Sequence, residues 1–456
     1  MKIDVAKVKA PVLDHSGIPI MLTDETIEER KQKVIQLMKE AGYSSLVIYA
    51  DKEHGSNFEY LVGFIPRFEE ALLVFNVDGS AGLILGNENF NKVPYSRIKA
   101  EGQKCSLFSL PNQPMGNMNE LTDCLKNVTL DQSENVGLIG WKLLPDTSNK
   151  TFDLPHFVLE AIQTIVPDKK LYNATDLLVG PVNGARTTNN ANEIAHYEFG
   201  ASLASDGVLE SMNHLQVGAV ETEIGNYLNR AGQYNSVVTI TAFGPRFIKG
   251  NVYPTENKLD KGDKVALTVA YKGGLSSRSG YAVSNRDELE AVDKGYFDEV
   301  VTPYFSAYHF WLQNVKIGKN AGEFYEEFEK NYPQATYGWE LCPGHLTSDE
   351  EWLSSPFYAG SKATVQSGML FQVDFIPSQK GHNGISAEST VAVADEKLRE
   401  EIASSYPGLW ARIESRRRYL AEELNIQLDE SLLPLASTLG YYRPFLLDKD
   451  TALVIK

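Results

Sequence analysis

Two carboxylates stand where carboxylates are costly. From Met369 to Ile376 the residues alternate: Met369, Phe371, Val373 and Phe375 face one way, and Leu370, Gln372, Asp374 and Ile376 face the other. From Gly384 to Val393 the same alternation puts Ser386, Glu388 and Thr390 on one face. Side chains repeat every two residues along a strand, so Gln372 accompanies Asp374 and Thr390 accompanies Glu388 on a polar floor. A carboxylate among apolar strand neighbours needs a partner, a proton or a metal ion to offset its lost hydration. The alternative is a solvated sheet face. His345 lies in the loop-like run Cys342-Pro343-Gly344-His345, just ahead of Asp349-Glu350-Glu351. It is either a surface or capping residue, or the imidazole that joins the two acids. One imidazole and two carboxylates suit acid–base chemistry or a single open cation site.

Other chemistries lack their signatures. No Gly-x-Gly-x-x-Gly sits between a strand and a helix, no phosphate-binding Gly-rich Lys loop occurs, and no Gly-x-Ser-x-Gly elbow marks a serine hydrolase. The remaining histidines show no metal-type pairing. Cys105, Cys124 and Cys342 fit neither a disulfide framework nor a zinc knuckle, and read as thiols in a reducing cytoplasm. Acidic residues number 60 against 43 basic ones, a formal charge of −17, which argues against nucleic acid or an anionic membrane as the main partner. No run of about 18 apolar residues offers a membrane span.

The elements that must position these residues follow from apolar patterning. Glu25 to Tyr43 reads as an amphipathic helix stopped at Gly42, and Leu46 to Tyr49 as a buried strand. Two apolar runs, Ala71 to Phe75 and Gly82 to Leu85, flank the turn signal Asp78-Gly79. Val136 to Ile139 is a further strand, and a helix lies near Pro155 to Val166. Alternating helices and strands give an α/β domain over residues 1–180. After the breaker cluster Gly180 to Gly184, a second domain spans 185–456. It opens on a long helix whose Asn190 and Glu193 form a capping-box pattern. Gln216-Val217-Gly218 with Glu223-Ile224 returns as Lys316-Ile317-Gly318 with Glu323-Phe324, an internal repeat at an offset of 100 residues. The second long helix contains Pro303, so a kink is expected there. Lys264 to Tyr271 alternates as a strand, and the apolar tail through Tyr441-Tyr442-Arg443-Pro444-Phe445 is expected to pack back.

In sequence order, Asn192-Glu193-Ile194, Gly244-Pro245, Pro254-Thr255, Gly262-Asp263, Gly344-His345, Gly368-Met369 and Glu388 resemble the markers of the creatinase, aminopeptidase P and prolidase family. Phe58 to Phe64 and Ala71 to Val74 match its N-terminal domain in style. The resemblance covers roughly residues 25 to 395. It implies an α/β (α+β) chain: a creatinase-like N-terminal domain, then a pita-bread catalytic domain with a pseudo-two-fold repeat. The peptidases of that family hold two divalent metals with two Asp, one His and two Glu. Carried over position by position, the set is incomplete. Thr268 stands at the first Asp, the second falls at or beside Ser279, and no carboxylate occurs from Lys264 to Arg286. His345 is kept, Asp374 replaces the first Glu, and Glu388 is kept. Asn251 stands at a substrate-side His, and a second such His aligns near Trp352.

The resemblance therefore implies no dinuclear centre and no resident cofactor, with at most one weakly held divalent cation. His345, Asp374 and Glu388 are the catalytic candidates. Asn251, Thr268, Ser279, Gln372 and Arg67 are the substrate-binding ones. The leading expectation is a metal-independent hydrolase of a C–N bond in a small substrate. The alternatives are an Xaa-Pro peptidase with a single-metal site and a non-catalytic pita-bread binding protein. A small molecule or short peptide as ligand, a homodimer and a cytoplasmic location complete the expectations.

Overall fold

The computed structural model describes residues 2–245 and 253–456, and the chain forms two compact units. One is Leu22–Thr187; the other joins Met1–Met21 to Thr188–Lys456.

In Leu22–Thr187 the helix Asp24–Ala41 starts where the Thr23 hydroxyl accepts the Thr26 N–H, and Gly42 closes it. Six strands form one sheet in the order Glu101–Lys104, Ala81–Leu85, Ala71–Asn76, Tyr43–Ala50, Asn135–Ile139, Leu171–Asn173. Strands Ala71–Asn76 and Ala81–Leu85 pair antiparallel across the Asp78-Gly79 turn, as their apolar pattern requires. The central strands are buried on both faces, which explains their continuous rather than alternating hydrophobicity.

In the other unit the helix Ala191–His214 carries the full capping box: the Asn190 side chain accepts the Glu193 N–H, and the Glu193 carboxylate accepts the Asn190 N–H. The repeat is visible in the backbone. Gly218 and Gly318 both adopt positive φ, 87° and 83°. Each follows a long helix, and each donates its N–H to a returning chain, to the Leu259 and Val365 carbonyls at 2.8 and 2.9 Å. A residue with a Cβ disfavours that backbone, so glycine recurs at both copies. The second long helix is not one kinked rod. A short helix, Arg286–Val292, is followed by a wide turn, Phe297–Val301, that runs into Thr302–Asn314. Pro303 thus sits just past the wide turn, which accommodates its missing N–H without a sharp kink.

Each half supplies a small sheet. The first has strands Ile240–Phe243, Lys264–Tyr271 and Gly274–Tyr281; the second has His345–Leu346, Leu370–Gln372, Thr390–Val393 and Leu432–Pro434. They meet at a bridge between Ser279 and Ser386. The tail packs back as expected, with Tyr441, Tyr442 and Arg443 buried. Residues 1–21, assigned from sequence to the first domain, belong instead with the C-terminal unit. Their strand Ile3–Lys7 pairs antiparallel with Thr451–Ile455. Among the described residues, no helix is long and apolar enough to cross a membrane.

Candidate functional site

The register of the second small sheet dictates the site. His345 pairs with Gln372, and Gln372 pairs with Thr390. Residues directly opposite share a face, so one step further along that face Asp374 and Glu388 come opposite each other. Both lie two residues beyond the regular strands, which stop at Gln372 and start at Thr390. The ladder continues between them through the Val373 N–H to the Ser389 carbonyl at 3.0 Å. His345 enters after Gly344, whose φ is 99° and where a Cβ would meet the Trp311 Nε1 at 2.8 Å. The chain then doubles back: Leu346 donates to the Ser354 carbonyl at 2.7 Å and Leu353 to the Leu346 carbonyl at 2.9 Å. That reversal folds Glu351 and Trp352 onto the imidazole.

His345, Glu351, Asp374 and Glu388 therefore meet, with one ligand atom of each lying within 4.8 Å of all the others. His345 is fully buried. Its Nδ1 faces the Leu346 carbonyl at 3.1 Å, and its Nε2 lies 2.8 Å from Glu351 Oε1 and 3.7 Å from Asp374 Oδ2. The short approach to Glu351 is an ion pair. His345 Nε2, Asp374 Oδ1 and Glu388 Oε1 are all buried without a hydrogen-bond partner. Trp352 stacks on the imidazole with ring centroids 4.1 Å apart and remains 37% exposed.

The electrostatics follow from crowding acids in a dry place. Burial raises the Asp374 carboxyl to about 6; His345 opposes the rise and Glu351 adds to it. Burial, then the Asp374 and Glu351 charges, push Glu388 well above the carboxylate range, while Arg278 pulls it back. Burial alone would lower His345, but Glu351 and then Asp374 outweigh it and the imidazole is raised. Arg278, also fully buried, donates to the backbone carbonyls of Glu388 and Ser277 at 2.9 and 2.7 Å.

A divalent cation is what the sequence resemblance implies, and the donor set suits one ion. An imidazole with one nitrogen turned to a backbone carbonyl presents the other to a metal. Three carboxylates supply the oxygen ligands, and three buried atoms are otherwise unsatisfied. All four groups come from the second half. The first half offers hydroxyls: Thr268 Oγ1 lies 2.9 Å from Ser277 Oγ, directly across the strand pair.

His345, Asp374 and Glu388 are thus brought together. Gln372 is not presented to a ligand: it donates to the Leu275 carbonyl at 3.1 Å and accepts from Thr390 at 2.8 Å. Ser279 is buried at the bridge to Ser386. Arg67 is exposed in the other unit, its guanidinium over the Phe68 ring. Asn251 lies outside the described residues. Two residues escaped the sequence reading. Glu351 was visible only as one of three consecutive acids. Ser277 faces Thr268 across the two-residue turn Lys272-Gly273.

No protein-family model matches the sequence, and no curated protein does either. Solved structures do. The prolidase from Pyrococcus horikoshii OT3 is 16% identical, with a TM-score of 0.59 over 80% of this chain and 95% of that one. The X-Pro aminopeptidase from Thermotoga maritima MSB8 is 16% identical, with a TM-score of 0.60 over 80% and 95%. The N-terminal domain of the FACT complex subunit SPT16 from chickpea, Cicer arietinum, is 13% identical, with a TM-score of 0.56 over 82% and 95%. At such identities the likeness establishes architecture: this chain has the mixed α/β pita-bread fold of the prolidases and Xaa-Pro peptidases.

Proposed function

We propose that the chain hydrolyses a C–N bond in a small amide or short peptide, at a site built for one divalent cation rather than two. The observation that carries this is the meeting of His345, Glu351, Asp374 and Glu388 with three buried polar atoms left unsatisfied. From sequence, two carboxylates survive and a metal-independent hydrolase leads. Glu351 adds a third, and three carboxylates with one imidazole call for a cation.

A divalent ion there would polarise the scissile carbonyl. The chain's own groups do the rest. The Leu346 carbonyl keeps the His345 ring oriented with Nε2 toward the acids. Without the ion, burial holds the Asp374 carboxyl near 6, so taking up the ion would displace that proton. Trp352 covers one face of the imidazole and excludes water from it. Thr268 and Ser277 offer hydroxyls to the substrate where a dinuclear site would need charge.

The test is turnover of Xaa-Pro dipeptides and a panel of small amides and ureas, with and without Mn²⁺. Activity lost both on chelation and in His345→Ala supports the proposal. Activity that survives complete chelation overturns its cation. A second reading is binding without turnover, since a protein named as a subunit of a complex, and not as a peptidase, shares the fold over 82% of this chain. A blank panel together with cation binding would select it.

A further inference from the structure

A second imidazole–carboxylate contact lies on the segment that joins two members of the cluster. Residues 375–387 connect Asp374 to Glu388, and within them Gly381, at φ 96°, and His382 form a turn in which the His382 N–H reaches the Gln379 carbonyl at 3.2 Å. His382 Nδ1 lies 2.7 Å from Asp293 Oδ1, and its Nε2 lies 3.5 Å from Glu299 Oε2. Asp293 is buried just past the helix Arg286–Val292. Its other oxygen accepts the Tyr281 hydroxyl at 2.6 Å and the Asn383 N–H at 3.3 Å. The Tyr296 hydroxyl donates to the Gly384 carbonyl at 3.1 Å. Burial, then the Asp293 carboxylate, hold the Tyr281 phenol well above its ordinary range, so it stays a donor.

One buried carboxylate thus ties three pieces together: the end of strand Gly274–Tyr281, the turn after Arg286–Val292, and the segment between Asp374 and Glu388. On its strand side that segment is held by the sheet. At its far end it is held by these contacts. A cluster that must keep two carboxylates at a fixed spacing requires both ends anchored, since residues behind a ligand set its orientation.

We propose that Asp293 and His382 form a positioning clasp for the cluster, fixing residues 375–387 and with them the separation of Asp374 and Glu388. The clasp rests on the one-cation reading only for the ligand used to probe it. The test compares full-length wild type, His382→Ala and His382→Asn by Mn²⁺ titration calorimetry and hydrogen exchange without metal. Asn keeps a side-chain N–H for Asp293. His382→Ala is expected to speed exchange in 375–387, leave strand Lys264–Tyr271 unchanged, and weaken Mn²⁺ binding by about 10- to 100-fold; His382→Asn should recover most of both. Unchanged exchange and affinity in His382→Ala, equal loosening of Lys264–Tyr271, or an Asn variant no better than Ala would each overturn the clasp. If wild type binds no Mn²⁺, the one-cation reading fails, and exchange in 375–387 alone decides the clasp.

Discussion

Substituting Asp374 by Asn should stabilise the metal-free protein at alkaline pH. In the fold the Asp374 carboxyl is raised from 3.8 to about 6 by burial. The native state therefore binds this proton more tightly than the unfolded chain does. Its contribution is complete below the unfolded value and is lost as pH rises through about 6. That difference corresponds to about 3 kcal/mol, one pKa step being about 1.4 kcal/mol. Glu388, raised in the same sense, and His345, also raised, lose stability in the same direction. Asn keeps the shape of Asp and removes the charge. Urea unfolding in the presence of a chelator, followed by tryptophan fluorescence, measures the effect; the difference between variant and wild type cancels the groups that do not feel Asp374, while Glu388 and His345 shift with it. At pH 4.5 the variant should match wild type or fall about 1 kcal/mol below it, through a poorer hydrogen bond. At pH 8 it should be more stable by up to about 3 kcal/mol. Saturating Mn²⁺ should reverse the order at pH 8, because only wild type gains from binding. A variant as destabilised at pH 8 as at pH 4.5 would refute the picture of crowded, uncompensated acids.

Three further outcomes follow from the same geometry. Thr268→Asp with Ser277→Asp places two carboxylates on facing strands where two hydroxyls now lie 2.9 Å apart, and should raise bound Mn²⁺ from one equivalent to two by elemental analysis. A stoichiometry unchanged in a folded double variant would contradict the assignment of those positions. His345→Ala should abolish cation binding in calorimetry while leaving far-ultraviolet circular dichroism unchanged. Arg416, buried and donating to Asp14 at 2.8 Å and Glu198 at 2.5 Å, anchors the N-terminal segment to the helix Ala191–His214. Arg416→Met leaves Asp14 without this partner and should cost about 3–5 kcal/mol in urea unfolding; a loss under 1 kcal/mol would contradict that role.

The local elements were legible in the sequence because local chemistry fixes them. The Thr23-to-Gly42 helix, the Asp78-Gly79 turn, the Asn190/Glu193 box and the paired Gly218 and Gly318 each depend on neighbours within a few residues. The alternation at 369–376 and 384–393 grouped Asp374 with Gln372 and Glu388 with Thr390, because strand period decides that much; the pairing of the two strands brings the acids opposite each other. What escaped depended on distant pairing. Glu351 was one acid in a run of three, and only the chain reversal between Leu346 and Ser354 selects it. Ser277 was hidden by the length of a hairpin, which shifts register without changing composition. The strand Ile3–Lys7 has little apolar signal, and its partner Thr451–Ile455 lies at the other end of the chain. Pro303 signalled a break but not its form, since a wide helical turn and a kink answer the same missing N–H.

The central claim is that four side chains from one half of the repeat hold one cation. The most direct measurement is the metal content of protein dialysed against Mn²⁺ and then metal-free buffer, for wild type, Glu351→Gln and Asp374→Asn. One equivalent in wild type, falling below about a tenth in both variants, is the predicted result. Two equivalents in wild type, none, or one that persists in Glu351→Gln would contradict it.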